Sequence, residues 1–260
     1  MKKPLIIIST LATLLLISQS PHVSRSPSMS RTPRTVHPRR IPPQQPSLPS
    51  SFQAPQPVKP PVIQEQHSLN RQSPRTQHII RQRHPRQNQW FSDNFYRQHR
   101  KKPPGYRRNP WNRPSWNGVN YWLNYDWQYP VYYSGQGTTY QMPPEEQQAA
   151  PLEETVMPLG VFAAGKTPRE ASFTSMFVQL DLAKDGTISG TYYNTATNEV
   201  HSISGSINKA TQEAVWRVTD IANSPTMITG LYNLTQDAAI VEVHFPNGKI
   251  QSWTLVRLNK

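Results

Sequence analysis

Arginine, lysine and aromatic residues are the ones whose types and spacing point most directly to chemistry in this sequence. Residues 21–115 contain 18 basic residues against two acidic ones, a net charge of +16. Such a segment attracts polyanions by counterion release, and interleaved aromatic rings can stack on bases or sugars. The predicted polyanion-binding residues are Arg97, Arg100, Lys101, Lys102, Arg107, Arg108 and Arg113, and the predicted stacking residues are Trp111, Trp116, Trp122 and Trp127.

Each of these two interpretations has an alternative. The basic segment could equally be a soluble spacer that its own charge keeps extended. The aromatic segment 106–133 could bind glycans, dock on a folded domain and cover its apolar rim, or self-associate as an Asn/Gln-rich low-complexity stretch. The sequence leaves these alternatives open.

Metal and catalytic sites are not predicted. Six of the eight histidines lie between residues 22 and 99, at least six positions apart, so no pair has the spacing that places two imidazoles on one ion. The chain has no cysteine and no Gly-x-Ser-x-Gly motif. The carboxylates from Asp181 to Glu242 fall mostly in turns or at outward positions, whereas paired acid–base catalysis needs two that converge. We therefore predict no cofactor and no enzyme activity.

The sequence predicts an all-β domain over residues 158–260, and this domain is the folded part that would position any site. Apolar residues alternate along about eight short segments, as in 176–182 and 239–245, and turn signals such as Asn247-Gly248 separate them. Trp216 and Trp253 are expected to pack in the core. Short loops and no intervening amphipathic helix predict an antiparallel up-and-down meander, closed as a small barrel or folded as a sandwich.

The rest of the chain is predicted to be an export signal, an arm and a linker. Lys2 and Lys3 precede an apolar run over residues 5–17, which is typical of a secretory signal peptide or, if uncleaved, a signal-anchor over 1–20. Residues 21–115 hold 18 of the 27 prolines and few large apolar residues, so they are predicted to be a long disordered arm. Residues 116–157 are predicted to be an aromatic and acidic linker. The protein is therefore expected at the cell surface, in the periplasm or outside the cell, with membrane attachment only through an uncleaved signal.

The last hundred residues resemble a bacterial family of mu-protocadherin-like cell-surface proteins, found chiefly in planctomycetes. The matching stretches include Pro158-Leu159-Gly160-Val161-Phe162-Ala163, Gly190-Thr191-Tyr192-Tyr193-Asn194, Thr211-Gln212, Gly230-Leu231-Tyr232-Asn233-Leu234-Thr235-Gln236 and Trp253-Thr254-Leu255-Val256-Arg257-Leu258. A Tyr-rich segment, here residues 129–140, precedes the domain in the same way. The resemblance implies a surface location and carries over no functional residues.

Together these features predict an exported cell-surface or cell-envelope interaction protein. Its basic arm would associate with anionic envelope polymers or polysaccharides, or non-specifically with extracellular nucleic acid, and the β-domain would be the folded module. The first alternative is a β-barrel that binds a small ligand or glycan. The second is a hydrolase, which would need two carboxylates converging in a deep pocket.

Overall fold

The computed structural model describes residues 56–57, 60–100, 110–144 and 155–260. In these ranges the chain first forms three helices and a small three-stranded sheet. The elements are β1 (Gln56–Pro57), α1 (Pro60–Arg83), α2 (Asp93–His99), α3 (Trp116–Leu123), β2 (Val131–Gly135) and β3 (Thr138–Gln141). Strands β2 and β3 form an antiparallel hairpin, and β1 runs parallel to β3.

A closed barrel of eight antiparallel strands follows. Each strand pairs with the next one along the chain, and the last strand pairs with the first, so the barrel has no open edge. The strands are β4 (Val156–Gly165), β5 (Met176–Ala183), β6 (Thr187–Asn194), β7 (Glu199–Asn208), β8 (Glu213–Val218), β9 (Thr226–Gly230), β10 (Ala238–His244) and β11 (Ile250–Leu258), with the one-turn helix α4 (Pro168–Ala171) between β4 and β5. The predicted all-β meander is confirmed, and it is a barrel.

Side chains that alternate along the strands fill the barrel interior. Because successive side chains of a strand point to opposite faces, the apolar residues at every second position meet inside. The inward residues include Val178, Leu180, Leu182, Ile188, Ile203, Ile207, Ala214, Trp216, Val218, Ala239, Val241, Val243 and Leu255. Trp216 is almost completely buried, and Trp253 is half-buried against the same cluster.

The aromatic segment docks on the barrel. Helix α3 begins after Ser115, whose hydroxyl accepts a hydrogen bond from the Gly118 amide at 3.1 Å. Its side chains Trp116, Val119, Trp122 and Leu123 join the interior cluster, so the helix closes one barrel end. The docking alternative is therefore the observed one. The prediction of a linker over 116–157 is wrong for residues 116–144, which are part of the fold, and for 156–157, which begin strand β4; residues 145–154 lie outside the described ranges.

The predicted disordered arm is wrong for residues 60–100 and 110–115. Residues 60–100 fold as α1, a 3-10 turn at Gln87–Gln89 and α2, and they cover the outer wall of the barrel. A second apolar cluster lies at this contact. It contains Ile80, Phe91, Phe95 and Tyr96 of the covering segment and Val161, Ala163, Phe177, Tyr193, Val200 and Leu258 of the barrel. Apart from 56–57, residues 1–59 lie outside the described residues, and so does the predicted export signal.

Helix α1 forms despite its proline content because the prolines occupy tolerated positions. Pro60 and Pro61 occupy its first turn, where the missing amide hydrogens would have no helical partner. Pro74 lies inside the helix but on the exposed face. The buried stripe is largely polar: the Gln66 amide donates to the Ala238 carbonyl at 2.9 Å, and the Gln77 amide to the Arg257 carbonyl at 2.9 Å. Side-chain hydrogen bonds to strand backbone thus fix this helix to β10 and β11.

Candidate functional site

The cationic layer, defined as residues 60–100, presents a strongly basic surface. It holds seven arginines, no lysine and two acidic residues, a net charge of +5. All seven arginine side chains are exposed on the folded layer. They are Arg71, Arg75, Arg81, Arg83, Arg86, Arg97 and Arg100. The layer therefore presents seven guanidinium groups from a folded backbone, each with the planar donor geometry that matches carboxylates and phosphates.

Helix α2 is held on the barrel wall by a buried polar contact and by ring packing. The Tyr96 hydroxyl donates to Gln179 Oε1 at 2.5 Å and lies 2.9 Å from the Thr191 hydroxyl. The Phe95 ring meets the Tyr193 ring edge-to-face at 5.0 Å. Because Gln179 and Tyr193 point outward from the barrel, they would face solvent without the layer.

A pocket of about 330 Å³ opens where α2 and the preceding 3-10 turn meet the loop between β6 and β7. Four aromatic rings line it, those of Trp90, Phe95, His99 and Tyr193. Its remaining walls are four side-chain amides, from Gln89, Asn94, Gln98 and Asn198, and the Arg86 guanidinium. We call it the amide pocket. Aromatic faces beside many amide donors and acceptors suit a ligand that has both apolar faces and polar edges.

The structure divides the predicted polyanion-binding residues into three groups. Arg97 and Arg100 are exposed at the end of α2 and belong to the cationic layer. Arg113 is instead engaged with the barrel, because it donates to Asp237 at 2.6 Å and to the Thr235 carbonyl at 2.9 Å. The other four lie outside the described residues: Lys101, Lys102, Arg107 and Arg108.

The predicted stacking residues all pack in or against the two apolar clusters. Trp116 and Trp122 are 2% and 5% exposed, so neither can offer a ring face to a ligand. Trp127 stacks on Trp116 at 5.4 Å and donates its indole N–H to the Lys209 carbonyl. Trp111 packs against the second apolar cluster. Docking on the barrel thus covers Trp116 and Trp122, whereas Trp111 and Trp127 are only half-buried, so stacking by these two stays a prediction. Trp90, which sequence analysis did not select, lines the amide pocket.

A second concavity, the acidic groove, lies between the β2–β3 hairpin and strands β8 to β11, with a volume of about 850 Å³. Two carboxylates line it, Glu213 and Glu242. Glu242 is 5% exposed, and its oxygens accept from the Tyr133 hydroxyl at 2.7 Å, from the Gln136 amide, and contact His244 Nε2 at 3.0 Å. Burial by itself raises the pKa of Glu242, but these three contacts outweigh it and lower the pKa below its ordinary value. The carboxylate thus holds the hairpin on the barrel.

Replacing Glu242 with glutamine is expected to destabilise the protein by about 1.5–3 kcal/mol at pH 7, because hydrogen bonds to a buried charged group are lost. A carboxylate whose pKa is lowered by folding stabilises the native state above its unfolded pKa near 4.5, and the stabilisation is lost as the pH falls through the folded value. The variant should therefore lose less stability than the parent between about pH 5 and pH 3. Urea denaturation at several pH values measures this difference.

Glu213→Gln is the matched control, because Glu213 lines the same groove and is only half-buried. We expect a change within about 0.5 kcal/mol for this variant. Equal pH dependence of the parent and Glu242→Gln would show that the Glu242 carboxylate does not hold the hairpin.

Arg257 is a buried cation at the end of the barrel that α3 closes. The side chain is fully buried, and its three nitrogens donate to the carbonyls of Gln236 at 3.1 Å, of Leu159 at 2.8 Å and of Leu234. The guanidinium also lies 4.7 Å from the centre of the Phe162 ring. Burial lowers the pKa of Arg257 to about 9, which leaves it charged at neutral pH. The residue ties β4, β11 and the loop before β10 together.

Gly160 makes room for this cation. Its φ of +128° lies in the region that residues with a side chain rarely adopt, and a Cβ there would collide with the Arg257 guanidinium. Gly160 and Arg257 belong to two of the stretches that resemble the surface-protein family. Their place in that pattern thus has a structural explanation.

Two further residues of that pattern, Gln212 and Asn233, form hydrogen bonds with the backbone of strand β2. Gln212 Oε1 accepts from the Val131 amide at 2.9 Å, and Asn233 both accepts from the Tyr133 amide at 2.9 Å and donates to its carbonyl at 2.7 Å. Gly230 allows the close approach, since a Cβ would lie 2.9 Å from the Val131 carbonyl. The Gln212 and Asn233 side chains bond to the backbone of β2 as the backbone of a neighbouring strand would. They thereby anchor the Tyr-rich segment to the barrel.

Comparisons with protein-family models, with curated proteins and with solved structures find no match for this chain. Membership of the surface-protein family therefore stays a prediction. Within the described ranges, no group of three or more histidine or acidic side chains is arranged to hold a metal ion. No helix in that part of the chain has the length and apolar character needed to span a membrane.

Proposed function

We propose that this protein is an exported cell-surface or cell-envelope interaction protein that binds anionic polymers through its cationic layer. The observation that carries the proposal is the exposure of all seven arginines on a layer that is folded onto the barrel. A folded array meets a polymer without first ordering its own backbone, which costs about 1–2 kcal/mol per residue. In this proposal, the fold of the layer sets the positions from which the arginines contact the polymer.

The charge distribution supports a division of roles between the layer and the barrel. Residues 155–260 carry eight basic and eight acidic residues, a net charge of zero, whereas the layer carries +5. Long-range attraction of a polyanion is therefore concentrated on the side of the molecule that α1 and α2 cover. In this proposal the barrel is the scaffold, and the apolar run behind Lys2 and Lys3 directs export.

The two alternatives are less well supported. A ligand-binding barrel would keep its interior open, but here large apolar side chains meet inside. A hydrolase would need carboxylates free to exchange protons, but both oxygens of Glu242 are engaged by protein groups and its pKa is lowered. We therefore propose that the protein is not an enzyme.

Replacing Arg71 and Arg75 with glutamine should weaken binding to every polyanion and make it less salt-dependent. The two residues lie one helical turn apart on the exposed face of α1, so both can contact one polymer strand. Loss of two contacts should reduce the slope of log K against log salt by about two. Affinity chromatography on a linear polyanion at several salt concentrations measures the slope.

Arg217→Gln with Lys249→Gln is the control, because it removes the same charge from exposed positions of the barrel. This variant should keep nearly the parent slope. The proposal is wrong if the full chain binds no polyanion at low salt, or if both double variants lose the same affinity.

A further inference from the structure

We infer that the amide pocket binds one sugar residue of an acidic polysaccharide, so that the polymer is a polyuronate-type glycan. This inference rests on the proposed function, which it narrows from polyanions in general to one chemical class. The pocket is built mostly from the cationic layer, since seven of its nine lining residues lie between Arg86 and His99. A polymer bound to the arginines of the layer would therefore lie next to the opening of the pocket.

The aromatic side of the pocket suits the apolar face of a sugar ring. Trp90 is half-buried, and its position is fixed by contacts with Phe177 at 4.5 Å and Tyr193 at 5.7 Å between ring centres. A ring held in this way loses little side-chain freedom when a ligand packs against it. Phosphate groups have no comparable apolar face, so this side of the pocket would contribute nothing to binding a polyphosphate.

The amide side suits the hydroxyl groups of the same ring. Asn94 and Gln98 lie one turn apart on the exposed face of α2, and each offers one acceptor and two donor hydrogens. Asn198 Oδ1 already accepts from the Tyr193 hydroxyl at 3.1 Å, and His99 Nε2 lies 3.2 Å away. That bonding fixes the amide and leaves its NH2 group for a ligand. Each sugar hydroxyl both donates and accepts, as these groups require.

Charge selects an acidic sugar over a neutral one. Arg86 is the one charged residue among the nine that line the pocket, and none of the nine is acidic. A guanidinium can bind a carboxylate through two parallel hydrogen bonds. An acidic sugar presents its carboxylate at the edge of the ring, so the ring can face Trp90 while the carboxylate faces Arg86.

The test compares three polymers on the full chain: a linear polyuronate, the same polymer with its carboxyl groups reduced to alcohols, and linear inorganic polyphosphate. Asn94→Ala with Gln98→Ala is the pocket variant, and Gln82→Ala with Asn88→Ala is its control at exposed amides outside the pocket. We expect the pocket variant to bind polyuronate about tenfold more weakly, the equivalent of one or two neutral hydrogen bonds. Its binding to polyphosphate and its thermal stability should not change.

The outcomes separate this inference from the proposed function. Unchanged polyuronate binding by the pocket variant, or an equal loss for polyphosphate, would overturn the sugar site while leaving the arginine surface intact. Parent protein that binds the carboxyl-reduced polymer as tightly as the polyuronate would overturn the acidic-sugar assignment. If Arg71→Gln with Arg75→Gln changed no affinity while the pocket variant lost polyuronate binding, the sugar site would stand and the polyanion-binding layer would not.

Discussion

Replacing Arg257 with methionine is expected to lower the free energy of unfolding by about 3–5 kcal/mol. Methionine fills much of the same volume but has no donor, so two buried carbonyl oxygens and one partly buried one lose their partners at about 1–3 kcal/mol each, with partial relief from relaxation. These are the carbonyls of Leu159, Leu234 and Gln236. Urea denaturation monitored by far-UV circular dichroism measures the loss.

A double-mutant cycle with Gly160→Ala isolates the contact between the two residues. The single change at Gly160 should also be strongly destabilising, because its new Cβ collides with the guanidinium and φ is +128°. The collision disappears once Arg257 is methionine, so the double variant should be more stable than the sum of the two losses predicts. A loss below about 1 kcal/mol for Arg257→Met would contradict the role assigned to the buried cation.

Replacing Phe91 with alanine is expected to cost about 3–5 kcal/mol, as for a large aromatic side chain removed from a core. Phe91 is fully buried, although it belongs to the segment whose composition predicts disorder. Its ring contacts Phe95 and Tyr193 at centre distances of 5.2 and 6.4 Å, so its removal leaves a cavity between layer and barrel. The same denaturation experiment measures the effect.

Gln89→Ala is the control for this change, because Gln89 is exposed two residues away. It should alter stability by no more than about 0.5 kcal/mol. An equally small effect of Phe91→Ala would mean that the layer does not pack on the barrel in solution.

The barrel was predictable because its strands alternate apolar and polar residues. The predicted segments 176–182 and 239–245 agree with β5 and β10 to within one residue at each end, since burial alone fixes the inward positions there. The outward-facing residues of the barrel wall were predicted less well than the inward-facing ones. Gln179 and Asp181 alternate with inward apolar residues and so were expected to face solvent, yet both are fully buried, and Gln179 accepts a hydrogen bond from Tyr96 of the layer. The large aromatic rings of Phe177 and Tyr193 at outward positions were the available signal that this wall is covered.

Helix α1 escaped prediction because its buried stripe is not apolar. The stripe runs through Val62, Gln66, Ser73, Thr76 and Ile80, which has helical spacing but only two apolar members. Proline content then favours disorder over helix. Contacts made by Gln66 and Gln77 with strand backbone depend on the barrel being present, so no local pattern in residues 60–83 reveals them.

The amide pocket could not be predicted for a different reason. Its two walls come from residues 86–99 and 193–198, which are about a hundred positions apart and meet only when the layer docks. The stretches that resemble the surface-protein family do not indicate the pocket either. Their residues Gly160, Gln212, Asn233 and Arg257 stabilise the fold instead. Arg97 and Arg100, which the sequence selected as polyanion-binding residues, are exposed on the layer, and their binding role stays a prediction.

Hydrogen exchange of the full chain tests the central claim, that the basic segment is a folded layer on the barrel. Amide hydrogens within 66–83 and 96–99 are bonded in helices whose inner faces are buried, so they should be protected and exchange far more slowly than an unstructured chain of the same sequence. The same experiment on Phe91→Ala should show reduced protection in α2 before the barrel strands are affected. Exchange of these amides at the rate of an unstructured chain, with the barrel strands protected, would contradict the account.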